Sequence, residues 1–386
     1  VWLHSATVIT KITAGFLTTK FIAVFIGAEG LALIVNLKSF LTAIQSFAIG
    51  GMYNGMVKFV GEFKNEAVKL SKTLSTVYYV GFSATILVCL LCYYNASALN
   101  ELLFTKNYDY TYVIKIMALA LPFYSLNMFC FSIMNGFAKY KFLMIINIIG
   151  QLLGLLVTLL LIYQNNIDGA LISVVIAPSL IFLITLTGIV QRRNLMPNIK
   201  VSNIDFGFLK RLSPLAIMAM VSGIGLPLVM LAIRNYIISV ETTVDAGYWE
   251  AMNRISSYYL LFVNSLMTLY FLPRFTEIES KKEFRNEVFS FYKTIIPVFA
   301  LGLLVIYLLR PYIVLLFLAD EFEPVEDLFI WQLLGDFVKV LSIVIAYQFM
   351  AKRMFLHFVI TELFLFAMLY ITSVYFVDNY GVVGAN

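Results

Sequence analysis

Charge is what this sequence has least of: Asp, Glu, Lys and Arg together make up 13% of its residues, about half of the roughly 25% usual in soluble chains. So few charges cannot dress a water-facing surface, which excludes a soluble enzyme or a soluble binding domain. Histidine is almost absent, and His4 and His357 lie too far apart in sequence and context to suggest a metal site. Of the three cysteines, Cys89 and Cys92 form a CxxC inside an apolar run, and Cys130 stands alone. Without companion ligands they read as small buried helix residues, a metal or redox pair remaining the alternative. No segment reads as a cleavable signal peptide, because the first apolar run is too long and lacks a basic start and a small-residue cleavage site.

What is present in excess is hydrophobic: 61% of the residues, with a mean hydropathy of +0.90. Apolar windows of about 20 residues, the length a helix needs to cross roughly 30 Å of hydrocarbon, recur about eleven times. They lie near 3–27, 31–57, 75–99, 111–135, 142–163, 167–190, 213–239, 247–273, 291–310, 327–350 and 354–377. The expected fold class is an all-α polytopic membrane protein. The chain stops at GVVGAN, where a turn should open another helix, and it does not begin with Met. Residues are therefore expected to be missing at both ends, and a twelfth helix to follow.

The basic residues sort by loop. Eighteen of the 27 Lys and Arg fall in alternate connections, around 58–72, 139–141, 192–211, 274–293 and 352–353. The opposite connections hold Lys106 and Arg310 among acidic runs such as ADEFEPVED. The positive-inside rule then makes the basic side cytoplasmic, the N-terminus with it. The net charge of +5 is accounted for by topology and calls for no nucleic-acid partner.

Seven basic residues remain within the apolar windows: Lys11, Lys20, Lys38, Lys115, Arg234, Arg254 and Lys339. Lys115 is near a helix end, and Lys11 about two turns in; both can snorkel. The deeper ones need a reason. A weak internal repeat supplies one, because AKYKFL at 138–143 matches AKRMFL at 351–356 and a similar offset sets Lys38 on Arg254 and Lys58 on Arg274. Two six-helix halves of like orientation produce that pattern, giving an expected N-terminal lobe over 1–200 with its connecting loop and a C-terminal lobe over 201–386. Lys20, Lys38, Arg234 and Arg254 would then share one layer on the outer side of the midplane, around a positive central cavity.

The stretch GYWEAMNRISSYYL at 247–260 concentrates the question. Arg254 at membrane depth should line water or protein rather than lipid. Glu250, one turn earlier, can pair with it at the i, i+4 spacing or act as a proton-coupling carboxylate. Asn253 can bind sugar hydroxyls or a neighbouring helix. In WQLLGDFVKVLS, Asp336 and Lys339 at i, i+3 can neutralise each other or serve coupling. Glu362 lacks a local cation. Gln45, Asn54, Asn127, Asn135 and Gln332 read mainly as interhelical hydrogen bonds. Tyr248, Trp249, Tyr258 and Tyr259 read mainly as an interfacial aromatic belt, with stacking on sugar rings the alternative. A layer of cations suits an anion large enough to satisfy several at once, and a lipid diphosphate does so.

GAEGLALIVNLKSF, YNGMVKFV, LPRFTEI and WQLLGDFVKVLSIVIAYQFMAK also carry a resemblance. They are similar to the Wzx-type flippases of bacterial polysaccharide export, in the O-antigen and enterobacterial-common-antigen (lipid III) branch of the superfamily that includes multidrug antiporters and lipid II flippases. The likeness spans nearly the whole chain. It implies twelve helices in two MATE-like lobes and alternating access in the bacterial inner membrane, with an undecaprenyl-diphosphate-linked oligosaccharide moved from the cytoplasmic to the periplasmic leaflet. It further implies no cofactor beyond a coupling ion, H+ or Na+, and polysaccharide polymerase or chain-length machinery as partners. Lys38 within NLKSF fits the family pattern, as do Lys11, Lys20, Arg234 and the Asp336/Lys339 pair, whereas Arg254 falls outside it. Two rivals stand beside this reading. A multidrug antiporter would bind cations through carboxylates, and the buried layer here is mainly basic. A membrane glycosyltransferase, polymerase or ligase would need a catalytic loop, and the longest outer connection, 311–326, is short, acidic and free of histidine.

Overall fold

The computed structural model describes residues 2–48, 51–104, 108–190, 199–278, 280–352 and 354–385. All regular structure among them is helical. A chain this apolar has little choice, since within hydrocarbon each backbone N–H and C=O must find its partner inside the segment. Ten of the helices are long and apolar enough to cross a membrane.

One of those ten is two passes. Tyr140–Val190 (α7) runs for 51 residues, about 76 Å at 1.5 Å per residue and so twice a bilayer's need. It reverses at Asn165 and Asn166, whose backbone leaves the helical region, with φ +46° at Asn166. Its limbs lie antiparallel: a Cβ on Gly150 would meet the Ile181 side chain at 2.9 Å, one on Gly154 would meet Ala177 at 3.7 Å, and one on Gly169 would sit 1.9 Å from Leu161 O. The windows near 142–163 and 167–190 are these two limbs, and counting them separately gives the eleven passes expected.

The chain forms two compact units, Val1–Phe25 with Leu33–Leu231, and Ile26–Ala32 with Ala232–Asn386. The first contains Trp2–Phe25 (α1), most of Gly27–Ala48 (α2), Tyr53–Phe63 (α3), Ala67–Tyr94 (α4), Ala96–Phe104 (α5) and Thr111–Gly136 (α6), together with α7 and the start of Phe206–Val240 (α8). Both α1 and α6 pack along α7, and α3 and α4 pack on α6. Met56, Phe59, Val60, Leu74, Val77, Ile133 and Leu212 form a core at the α3–α4 corner. Polar residues join helices here, as expected for Asn127, whose Oδ1 accepts from Thr185 Oγ1 at 2.6 Å. Asn135 Nδ2 donates to Tyr53 OH at 3.3 Å. Such bonds contribute on the order of 1 kcal/mol each within a bilayer.

The second unit is built on Thr243–Leu266 (α9), Leu272–Glu277 (α10), Lys281–Leu308 (α11), Arg310–Phe317 (α12), Phe329–Ala351 (α13) and Phe355–Tyr380 (α14). Helix α9 starts where TTVD allows it to: Thr242 is the N-cap, its Oγ1 accepting from Asp245 N at 3.1 Å, and Asp245 adds a negative charge to the first turn. Its Gly247 admits the start of α2 so closely that a Cβ there would lie 2.0 Å from Ala28 O. Leu260, Val263, Met267, Phe271, Phe291, Val340 and Val344 seal α9 to α11 and α13. Beyond Leu266 the helix widens into a π-helical turn, Met267–Phe271. A π turn inside a helix often marks a functional segment.

Candidate functional site

In the second unit, α8 and α9 bring three of the expected residues together. Arg234 on α8 donates Nη2 to Glu250 Oε2 on α9 at 2.7 Å, and Glu250 Oε1 lies 3.7 Å from Arg254 Nε one turn further along. The carboxylate therefore stands between two guanidinium groups. Its main partner is not the i, i+4 neighbour but Arg234, which is 1% exposed. Trp249 packs against this group, its ring 5.5 Å from the Arg234 guanidinium carbon and its Nε1 donating to Ala385 O at 3.2 Å. Trp249 is buried and so does not belong to an interfacial belt.

The consequence is electrostatic. Arg234 and Arg254 with Glu250 between them amount to one net positive charge, not two. The Arg254 side chain retains 14% exposure against 1% for Arg234, so Arg254 presents that charge and Arg234 supports it from below. Asn253 is half-buried and donates Nδ2 to Trp249 O at 3.0 Å, within its own helix.

Asp336 on α13 corrects the expected Asp336/Lys339 pair. The carboxylate is 2% exposed, and its Oδ2 accepts from Ser256 Oγ, from Tyr259 OH at 2.5 Å, and from Gln332 Nε2 at 3.3 Å. Lys339 is exposed, and among the described residues no ion pair joins the two. Three neutral donors on two helices serve one oxygen of the acid. Glu362 on α14 is half-buried.

The remaining expected cations belong to the first unit. Lys38 stands halfway along the 22-residue α2, roughly 16 Å from its start at 1.5 Å per residue, with Leu33, Ile34 and Leu37 buried beside it. Its side chain is exposed. Facing lipid there would cost about 2.5–3.5 kcal/mol, and neither helix end is within easy snorkelling reach. Lys20 on α1 is half-buried and Lys11, nine residues earlier, is exposed. Cys89, Cys92 and Cys130 are free thiols, Cys92 and Cys130 buried. No group of three or more metal-ligating side chains occurs among the described residues.

Residue spacing could not reveal Ser256 and Tyr259 as a carboxylate's partners, nor Trp249 as a neighbour of Arg234, although Gln332 stands at the i, i+4 spacing from Asp336. The only available signal was that WEAMNRISSYY puts many polar groups on successive turns of one apolar helix.

A family model described as "Polysaccharide biosynthesis protein" matches residues 52–327. The chain is 26% identical to the lipid III flippase of Escherichia coli (strain K12) over all 386 residues, 92% of that protein's length, and equally to the lipid III flippase of Shigella flexneri. Among solved structures it resembles an inward-facing multidrug resistance MATE family transporter of the MOP superfamily, with a TM-score of 0.74, 13% identity, and coverage of 97% of this chain and 89% of the other. It resembles lipid II flippase MurJ in an inward closed conformation to the same TM-score, with 18% identity and coverage of 99% and 82%. With its family match running over most of its length, the chain belongs to the polysaccharide biosynthesis protein family.

Proposed function

We propose that this protein flips a lipid-linked oligosaccharide across the bacterial inner membrane, with its N-terminus cytoplasmic. The substrate is an undecaprenyl-diphosphate-linked repeat unit of O-antigen or common-antigen type, moved from the cytoplasmic to the periplasmic leaflet. The observation that carries the reading is the mid-helix, exposed Lys38 together with the Arg254 charge supported by Glu250 and Arg234. Positive charge held at membrane depth calls for water or an anion, and a diphosphate headgroup meets cations through charge-assisted hydrogen bonds. Full-length similarity to two lipid III flippases supports the same substrate class.

In this reading the headgroup enters from the inner leaflet while the prenyl tail stays in lipid. The cations assigned to the diphosphate are Lys20, Lys38 and Arg254, with Arg234 as the support of Arg254 through Glu250 and Asn253 assigned to the glycan. A change in access then exposes it on the other side. Water entering the opened site raises the local dielectric and weakens the attraction, which frees the product. An H+ or Na+ gradient drives the cycle, with Asp336, Glu250 and Glu362 as the membrane-embedded acids available to it, and polymerase machinery consumes the product. The test is transport of a short-chain prenyl-diphosphate oligosaccharide in proteoliposomes under imposed ion gradients. The parent should transport and Lys38→Ala should not, with normal insertion of both; full activity of the variant removes Lys38 from the site.

A further inference from the structure

Glu250 contacts two arginines unequally. Its bond to Arg234 is 2.7 Å long and buried, whereas its approach to Arg254 is 3.7 Å and that side chain keeps access to its surroundings. Charge-assisted bonds at the shorter distance are among the strongest available to a side chain, and breaking this one would strand a guanidinium that is 1% exposed against Trp249. The Arg234 contact is therefore an anchor and the Arg254 contact is exchangeable. An anion arriving at Arg254 meets a cation already held by a fixed carboxylate.

We propose that Glu250 is a built-in counter-anion, a positioning residue that holds Arg254 when no substrate is bound, yields it to an incoming diphosphate, and takes it back to expel the product. The inference rests on the diphosphate-flipping reading and deepens it. Arg254 never stands as a bare cation in an apolar surrounding, so each exchange replaces one anionic partner by another. The resident carboxylate keeps diphosphate binding weak enough to reverse. A site of cations alone would bind the headgroup tightly and release it slowly. Because Arg234 fixes Glu250 in place, the recaptured position of Arg254 is reproducible from cycle to cycle.

The experiment measures binding of a short-chain prenyl diphosphate to protein in lipid nanodiscs, and flipping of its oligosaccharide-bearing counterpart in proteoliposomes. Glu250→Gln removes the carboxylate, and Arg234→Gln/Glu250→Gln removes it without leaving a buried guanidinium unpaired, in case the single variant fails to fold. With the carboxylate gone, binding should tighten about tenfold while turnover slows, and adding Arg254→Gln should abolish the gain. A purely structural role for Glu250 predicts loss of both binding and turnover. Unchanged or weaker binding by a folded double variant, with the parent binding normally, overturns the inference and leaves the flippase reading intact. A folded parent that binds no prenyl diphosphate overturns both.

Discussion

Arg234 and Glu250, 16 residues apart on successive helices, meet at 2.7 Å in a part of the protein that excludes solvent. Two ions in such a place are mutually dependent, because removing one leaves the other desolvated and uncompensated.

Their stability signature is accordingly non-additive. Glu250→Ala and Arg234→Ala should each lose about 3–5 kcal/mol, while an apolar exchange of both, Arg234→Met with Glu250→Leu, should cost clearly less than the sum of the two, keeping the loss of the Glu250 contact to Arg254. Thermal unfolding in detergent of the two single variants and the double variant checks this. Additive losses would mean that the two side chains do not act as a pair.

How much was legible beforehand follows from the kind of information each feature needs. The hydrocarbon thickness fixes a window length, and the eleven windows match the helical passes, even where α7 fuses two of them around Asn165 and Asn166. Which acid serves which cation was not legible. Spacing offered Glu250 to Arg254 and Asp336 to Lys339, since i, i+3 and i, i+4 neighbours are the only pairs a linear pattern reveals. The closest partners actually come from α8 for Glu250 and from α9 for Asp336, across interfaces whose rotation no local pattern specifies.

Asp336 and Lys339 can be separated experimentally for that reason. Lys339→Ala should leave the unfolding midpoint at or above that of the parent, since a mid-helix lysine with no ion pair to Asp336 gains nothing from that acid. Tyr259→Phe and Ser256→Ala should each cost about 1.5–3 kcal/mol, the worth of a hydrogen bond to a charged group. Unfolding midpoints of the three variants give the comparison, and a large loss in Lys339→Ala would restore the intrahelical ion pair.

Gly247 tests the approach of α9 to the start of α2. A Cβ at this position would lie 2.0 Å from Ala28 O, and a backbone carbonyl cannot swing aside as a side-chain tip does. Gly247→Ala should therefore destabilise by about 1–3 kcal/mol as the two helix starts are pushed apart. It should also reduce flipping, because Trp249 and Glu250 follow within one turn. Unfolding and transport measured on the same preparation decide it; parent-like values in both would show that the helices part without consequence.

The reversal in α7 predicts a change of the opposite sign. Asn166 adopts φ +46° and ψ −122°, a combination open to glycine and strained for a residue with a Cβ. Such strain typically costs about 1–3 kcal/mol, and glycine's extra freedom in the unfolded chain takes back roughly 0.4–1 kcal/mol of the relief. Asn166→Gly should therefore raise the unfolding temperature, whereas Asn166→Val, with a branched Cβ in the same conformation, should lower it. Transport should be unaltered by the glycine, since the turn carries none of the residues assigned to the substrate. A lower unfolding temperature for Asn166→Gly would mean that the asparagine side chain, through its own hydrogen bonds, stabilises the turn by more than its backbone strain costs.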